Sequence, residues 1–302
     1  MGSTRNWILS VATVGILGGA ALVGVGVLRG GETVLPLAGT FKNPAQSSAA
    51  PTGLSAAQRA AQERSKRVKA LDAALKKYAA TQPEFSVAVL DKKTGQKYSY
   101  RGTEAYETAS VVKVQVLACL LLTAQDKERD LTAGELSLAK SMIRLSDNNA
   151  TTSLFTKLGK QTGIGACNKR LGLTATKVNS AWGLTKTTVD DQVRLLGELV
   201  DAKGPLDADS RKQAYALMST VDETQDWGVP AAATAGEKTT VKNGWLSRST
   251  DNNLWIINTV GRIAGGSTDV SVAVLSHNNT AMDGGIAMVE QVAKLTRQHL
   301  KY

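Results

Sequence analysis

Two different spacings of hydrophobic residues along the chain predict the order of its secondary-structure elements. Apolar residues at three- and four-residue spacing indicate amphipathic helices. The helices predicted in this way cover residues 55–78, 111–124, 132–146, 148–158, 189–201 and 283–300. Apolar residues at every second position indicate strands, which are predicted at residues 85–90, 96–100, 240–245, 253–263 and 269–276.

The order of these elements predicts an α+β fold. Two strands come early and three come late, and most of the predicted helices lie between them. We expect one antiparallel five-stranded sheet flanked by the N- and C-terminal helices, together with a helical subdomain from the middle of the chain. Ser55 is a typical helix N-cap, so the folded domain is predicted to cover residues 55–302.

The segment before this domain has a different pattern. Residues 7–28 carry no charge, and as a helix they would span roughly 33 Å, enough to cross a bilayer. Residues 1–29 are therefore predicted to be a membrane anchor or signal segment, with everything after them exported. A retained anchor is favoured, because no Ala-x-Ala cleavage site closely follows the apolar run. Residues 30–54 are rich in Gly, Pro, Ser and Ala, which predicts a flexible linker.

Composition narrows the partners that such a domain could have. The net charge of +10 suits an anionic partner such as phospholipid, a cell-wall polymer or nucleic acid. Nucleic acid is the weakest of these, because aromatic residues make up only 5% of the chain and the basic residues are scattered. Only His277 and His299 are available as histidines, and no Cys/His spacing indicates a metal site. We therefore expect no nucleic-acid partner, no metal and no cofactor.

The chain has two cysteines, Cys119 and Cys167. Two are too few for a disulfide-based scaffold. Cys119 lies within an apolar run, where a small buried thiol is the favoured interpretation. A single disulfide between the two is left open.

The first candidate for chemistry is the pair Ser110 and Lys113, at the start of the predicted helix 111–124. Residues three apart lie on one face of a helix, so the serine hydroxyl and the lysine amine can approach each other. A lysine whose pKa is lowered by burial can accept the serine proton and so activate the oxygen as a nucleophile. The Ser-x-x-Lys spacing alone is a weak signal, and an ordinary helix start is the alternative.

A second candidate segment, Ser146-Asp147-Asn148, joins two predicted helices. The serine hydroxyl can relay a proton, and the asparagine amide can hold a substrate carbonyl. Taken alone, however, the same three residues are typical of a helix cap.

A third candidate segment, Lys242-Asn243-Gly244, lies in the predicted strand 240–245. It combines a cation for a carboxylate, an amide donor and a glycine that lets another backbone come close. The alternative interpretation is a surface strand that ends in a turn.

In this order and structural context, the three segments resemble the motifs of the class A β-lactamase and penicillin-binding protein superfamily. Members of that group carry Ser-x-x-Lys, Ser-Asp-Asn and Lys-Thr-Gly. The resemblance extends over residues 55–302. It implies the serine β-lactamase/transpeptidase-like fold, and substrates that are peptidoglycan-like peptides or β-lactams.

The resemblance also implies a role for each motif residue. Ser110 would be the acylated nucleophile, Lys113 its activating amine and Ser146 a proton relay. The backbone N–H groups of Ser110 and Trp245 would form the oxyanion hole. The substrate-binding residues would be Asn148, Lys242, Asn243 and Gly244.

The chain departs from the family pattern after the Ser-Asp-Asn segment. A hydrolysing class A enzyme needs a carboxylate there, to position the water that releases the acyl group. Residues 149–189 contain no Asp or Glu, and Asp190 and Asp191 are expected to cap the next helix. The interval between the first two motifs is short, which predicts a trimmed helical subdomain, and Asn243 replaces the usual Thr or Ser.

These features support one leading hypothesis and two alternatives. We expect an extracytoplasmic active-site-serine hydrolase or acyltransferase that forms an acyl-enzyme and releases it slowly. The first alternative is a genuine β-lactamase with another water-activating group. The second is a non-catalytic, membrane-tethered, cell-wall-binding module with a retained pocket, although the intact Ser110 and Lys113 argue against it.

Overall fold

The computed structural model describes residues 54–302. The predicted membrane segment at 1–29 and, apart from Leu54, the predicted linker at 30–54 lie outside the described residues. Between residues 54 and 302, no helix has both the length and the apolar character that a membrane crossing requires.

Helices and strands follow one another much as the hydrophobic pattern predicts. The helices are α1 (Ala56–Ala79), α2 (Val112–Gln125), α3 (Ala133–Arg144), α4 (Asn148–Lys157), α5 (Lys160–Arg170), α6 (Val189–Glu198), α7 (Ala208–Met218) and α8 (Met282–Leu300). The strands are β1 (Phe85–Asp91), β2 (Lys97–Tyr100), β3 (Tyr106–Glu107), β4 (Lys186–Thr187), β5 (Lys238–Ser247), β6 (Trp255–Gly265) and β7 (Thr268–Ser276). The predicted helix start is confirmed at Ser55, whose side chain accepts a hydrogen bond from the Gln58 backbone.

Five of the strands form one antiparallel sheet in the order β2-β1-β7-β6-β5. Helices α1 and α8 pack on one face of this sheet. Leu71 and Leu75 of α1 and Val289 of α8 share a buried core there with alternate residues of the strands, such as Val272 and Val274. The α+β fold, the antiparallel five-stranded sheet and the two flanking helices are thus confirmed.

The helical subdomain packs on the other face of the sheet. Strand residues Ala88, Val260 and Ala273 point to that side and belong to a second core, of which α2 is the centre. Helix α2 is apolar and buried along nearly its whole length, as expected of a helix with neighbours on every side. This central position fixes the N-terminus of α2, where Ser110 and Lys113 lie.

Cys119 of α2 and Cys167 of α5 form a disulfide. The buried-thiol interpretation favoured by the sequence is therefore wrong, because α5 brings the second cysteine against the first. Helix α5 itself was not predicted, and its sequence, with Gly163 and Gly165, contains few apolar positions to reveal it. Helix α7 was also not predicted.

Strands β3 and β4 form a separate two-stranded ribbon. It pairs Tyr106 with Thr187. The ribbon joins the segment that leads into Ser110 to the long connection between α5 and α6. It thereby brings that connection close to the predicted nucleophile.

Candidate active site

Ser110 lies in one turn of 3-10 helix, Ala109–Val111, that leads directly into α2. The preceding Ala109 has φ +45°, a left-handed conformation that residues other than glycine seldom adopt. Lys113 lies one turn further on, and its Nζ is 2.9 Å from Ser110 Oγ. The predicted nucleophile and its predicted base are thus in direct hydrogen-bonding contact.

Lys113 is fully buried, and uncharged oxygens surround its amine. Nζ lies 2.6 Å from the Ser146 carbonyl oxygen, 3.0 Å from Ser146 Oγ and 2.8 Å from Asn148 Oδ1. Burial lowers the pKa of Lys113 to about 8, although the Asp147 carboxylate acts in the opposite direction. A substantial fraction of the amine is therefore neutral near that pH, and a neutral amine can accept a proton from Ser110.

Ser146 connects the two lysines of the site. Its Oγ is 3.0 Å from Lys113 Nζ and 3.0 Å from Lys242 Nζ. Its backbone is left-handed, with φ +57°, and both of its oxygens contact Lys113 in this conformation. The alternative interpretation as a helix cap holds for Asp147, whose carboxylate accepts a hydrogen bond from the first turn of α4.

Lys242 extends from β5 and is only 1% exposed. Its Nζ contacts the Asn243 carbonyl oxygen at 2.9 Å and Gln225 Oε1 at 3.4 Å, besides Ser146 Oγ. Burial, followed by the nearby charge of Lys113, holds the pKa of Lys242 well below its usual range. No carboxylate is among these partners, so an incoming anion would be the first acidic partner of this amine and would favour its protonated form.

Gly244 allows β5 to pack directly against the Ser110 turn. A side-chain carbon at Gly244 would collide with backbone atoms of Thr108, Ser110 and Val111. This contact places the β5 backbone at Gly244 directly against the backbone of the Ser110 turn.

The order and geometry of these groups agree with a family comparison. A model described as the beta-lactamase enzyme family matches residues 65–134 and 135–300. The chain belongs to this family. Its relatives include "Putative lipoprotein LppW" of Mycobacterium tuberculosis and of Mycobacterium bovis, each 30% identical over 169 residues. The match covers 53% of this chain and 54% of each relative, so it spans about half the length of these curated proteins.

Solved structures of class A β-lactamases share the fold of this family member. An ancestral enzyme, assigned to the last common ancestor of Gram-negative bacteria, is 23% identical with a TM-score of 0.65, covering 76% of this chain and 99% of its own. A β-lactamase from Xanthomonas campestris is 20% identical with a TM-score of 0.64, covering 78% of this chain and 97% of its own. This likeness shows that the chain has the class A β-lactamase fold.

The side-chain amide of Asn243 is bonded within the protein, whereas its position in the motif implies a contact with substrate. Its Nδ2 donates to the carbonyl oxygens of Gln225 at 2.8 Å and of Trp227 at 3.0 Å. Both amide hydrogens are thus used inside the protein. Asn243 therefore braces the neighbouring segment, and its predicted donation to substrate does not follow from this conformation.

Trp182 is a site residue that sequence reasoning missed. It lies in the region where the absent carboxylate was sought, and Lys113 Nζ is 5.0 Å from the centre of its ring. The indole N–H donates to Thr152 Oγ1 at 3.2 Å, which fixes the ring. The loop behind it is fastened as well, because the Thr108 backbone N–H donates to the Thr185 carbonyl at 2.8 Å. An aromatic face therefore covers Lys113.

Asn258 on β6 was also missed. This fully buried amide donates to the carbonyl oxygens of Glu107 at 2.9 Å and Thr108 at 3.0 Å, and it accepts from the Ser276 backbone at 3.0 Å. It ties the sheet to the segment that enters the Ser110 turn. No local pattern in the sequence distinguishes it from an ordinary polar residue on a strand.

A cavity of about 290 Å³ opens beside Ser110. Its lining includes two indole rings and two polar side chains, those of Trp182, Trp245, Asn148 and Arg248. Arg248 is paired with Glu107 at 2.8 Å. Across residues 54–302, no group of three or more side chains is arranged as a metal site. Of the motif residues, Ser110 and Asn148 line this cavity, whereas Lys113 and Lys242 are buried behind it.

Proposed function

We propose that this chain is an extracytoplasmic active-site-serine hydrolase or acyltransferase that forms an acyl-enzyme with peptidoglycan-like peptides or β-lactams. The observation that carries the proposal is the 2.9 Å contact between Ser110 Oγ and a lysine amine, Lys113, whose pKa is lowered to about 8. A nucleophile and a base in direct contact, with the base neutral near working pH, are what acyl transfer to serine requires.

In the proposed reaction, neutral Lys113 takes the proton from Ser110 Oγ as this oxygen attacks the substrate carbonyl carbon. The negative charge that develops on the carbonyl oxygen is stabilised by the backbone N–H groups of Ser110 and Trp245. Ser146, which contacts the amines of both lysines, passes a proton to the leaving nitrogen and regains one from protonated Lys113, which becomes neutral again. The C–N bond breaks and leaves the acyl group on Ser110 as an ester; the amine of a peptide then departs, whereas the nitrogen of a β-lactam stays attached to the acyl group.

Substrate binding is assigned to the groups around this serine. Lys242 would pair with a substrate carboxylate, because its buried amine has no acidic partner of its own and the charge of a bound carboxylate would favour its protonated form. Asn148 would hold the substrate amide. Gly244 would contribute through its backbone, because its lack of a side chain lets β5 lie against the Ser110 turn.

Slow release of the acyl group is part of the proposal. Hydrolysis of the ester requires a base for the attacking water, and general-base help is typically worth about 10²–10⁴-fold in rate. No acidic residue occurs between residues 149 and 189. The indole of Trp182 covers Lys113, the other group that could act as this base. Both features favour a long-lived acyl-enzyme.

Three observations support the proposed location. The Cys119–Cys167 disulfide suits an oxidising compartment outside the cytoplasm. The apolar residues 7–28 could anchor the chain in the membrane. The mycobacterial relatives carry a lipoprotein name. Since the disulfide uses both cysteines of this chain, neither is free to carry a lipid, and attachment is proposed through the apolar segment.

Labelling with a fluorescent penicillin tests this function. Wild-type protein should acquire a covalent label that survives denaturing electrophoresis, whereas Ser110→Ala should not. Ser65→Ala, at an exposed position of α1, removes an unrelated hydroxyl and should label like wild type. Equal labelling of Ser110→Ala would refute the assignment of the nucleophile, and absence of label with several β-lactams would favour the binding-module alternative.

A further inference from the structure

The end of the site around Lys242 contains an amide that the three motifs do not include. Gln225 closes a short 3-10 turn, Glu223–Gln225, and is 8% exposed. Its Oε1 lies 3.4 Å from Lys242 Nζ. Its Nε2 donates no hydrogen bond to any of residues 54–302, yet it is not among the polar atoms sealed from solvent. An amide donor with no partner thus lies beside the buried amine of Lys242.

The backbone around Gln225 is held in place from two directions. Its carbonyl oxygen accepts the Asn243 amide at 2.8 Å, and its own N–H donates to the Asp222 carbonyl at 2.8 Å. Asp222 in turn caps the 3-10 turn through Thr224. Because the segment is already ordered, little conformational entropy would be lost when the side chain binds a ligand.

A substrate carboxylate beside Lys242 would need a second hydrogen-bond donor, and Asn243 cannot supply it. Asn243 uses both amide hydrogens inside the protein, on Gln225 and Trp227, so it has none left for a substrate. A carboxylate next to Lys242 has two oxygens, and a buried carboxylate is stable only when both are hydrogen-bonded. Lys242 can serve one of these oxygens, and a second donor is needed nearby.

We infer that Gln225 is a specificity-determining residue whose Nε2–H group donates to the substrate carboxylate beside Lys242. The inference rests on the proposed function and deepens it. The preferred substrates are acyl donors that carry a free carboxylate near the scissile amide. Gln225 contacts this carboxylate and takes no part in bond making at Ser110.

The test compares a penicillin with its methyl ester on full-length protein, using the second-order rate of acylation. Gln225→Glu keeps an oxygen acceptor for Lys242 and removes the N–H donor, and it adds a charge that repels a carboxylate. A hydrogen bond to a charged group is worth about 1.5–3 kcal/mol, so the preference for acid over ester should fall roughly 10- to 100-fold. The loss should appear in substrate binding and leave the maximal acylation rate nearly unchanged.

Gln298→Glu is the matched control, because it makes the same chemical change at an exposed position of α8. It should keep the wild-type preference. If Gln225→Glu melts well below wild type, Gln225→Met, which adds no charge, takes its place in the same comparison.

An unchanged acid-to-ester preference in the Gln225 variants would overturn the inference, and so would an equal loss of rate on both substrates. Wild-type protein that reacts with neither compound would instead refute the proposed function, and this inference with it. The two failures are therefore distinguishable.

Discussion

A side-chain carbon on Gly244 would lie 2.7 Å from the backbone nitrogen of Ser110. No Cβ atom tolerates such a distance to backbone, so Gly244→Ala must push β5 and the Ser110 turn apart. Misplacement of a reacting group by about 1 Å can cost roughly 100-fold in rate. We therefore expect Gly244→Ala to lower the acylation rate by about that factor, measured as the rate of penicillin labelling.

Gly284→Ala serves as the control for this substitution. Gly284 lies in α8, and nothing is within 4 Å of the carbon that alanine would add. This variant should label at the wild-type rate and be at least as stable, because alanine favours helix over glycine by about 1 kcal/mol. Equal labelling of the two variants would show that the contact between Gly244 and Ser110 does not matter for chemistry.

The pKa of Lys113 predicts how acylation depends on pH. Only the neutral amine can accept the serine proton, and burial lowers the pKa of this amine to about 8. The acylation rate should therefore be low when the pH is well below that value, rise through it and level off above it. Lys113→Arg, which stays protonated over this range, should abolish labelling. A wild-type rate that falls as the pH rises through this range would contradict the assignment of Lys113 as the base.

The position of the Trp182 ring over Lys113 predicts a long lifetime for the acyl-enzyme. The ring covers Lys113, with 5.0 Å between Nζ and the ring centre, and keeps water away from the amine. Trp182→Ala should open this side of the site and shorten the lifetime of the penicillin adduct several-fold, followed as loss of label after excess penicillin is removed. Trp182→Phe keeps an aromatic face and should retain a lifetime close to that of wild type. A longer lifetime in Trp182→Ala would rule out shielding.

The disulfide predicts a stability difference that depends on redox conditions. Cys119 and Cys167 are separated by 48 residues. A cross-link over a loop of this length is worth roughly 4 kcal/mol in the chain-entropy model. The double variant that carries both Cys119→Ala and Cys167→Ala should therefore melt roughly 10 °C below the wild type. Added reductant should lower the melting temperature of the wild type and leave that of the double variant unchanged, and an equal response of both proteins would contradict the prediction.

Much of the fold could be predicted because its elements have strong local patterns. Strand β7 and helix α8 were predicted to within one residue at each end. The unpredicted α5 buries few side chains, among them Ile164 and Asn168, so it has almost no apolar period. The buried residues of α7 do have helical spacing, but two of the four, Ser210 and Ala214, are small, so the apolar pattern is weak in the sequence.

The motif residues could be predicted because their chemistry lies in short segments of sequence. Trp182 and Gln225 could not, because each is defined by a contact with a lysine that is distant along the chain. The disulfide was left open, with a buried thiol favoured, for a related reason. Its partner lies on α5, a helix that the hydrophobic pattern did not reveal.

The intact mass of the full-length protein, followed over time after a single addition of penicillin, is the sharpest test of acyl-enzyme formation and slow release. The proposed function predicts one added penicilloyl group that maps to the peptide containing Ser110, is absent in Ser110→Ala and persists long after free penicillin is exhausted. Absence of any adduct with several β-lactams would contradict the acyl-enzyme proposal. An adduct that disappears as quickly as it forms, with steady turnover of a chromogenic cephalosporin, would identify a genuine β-lactamase and contradict slow release.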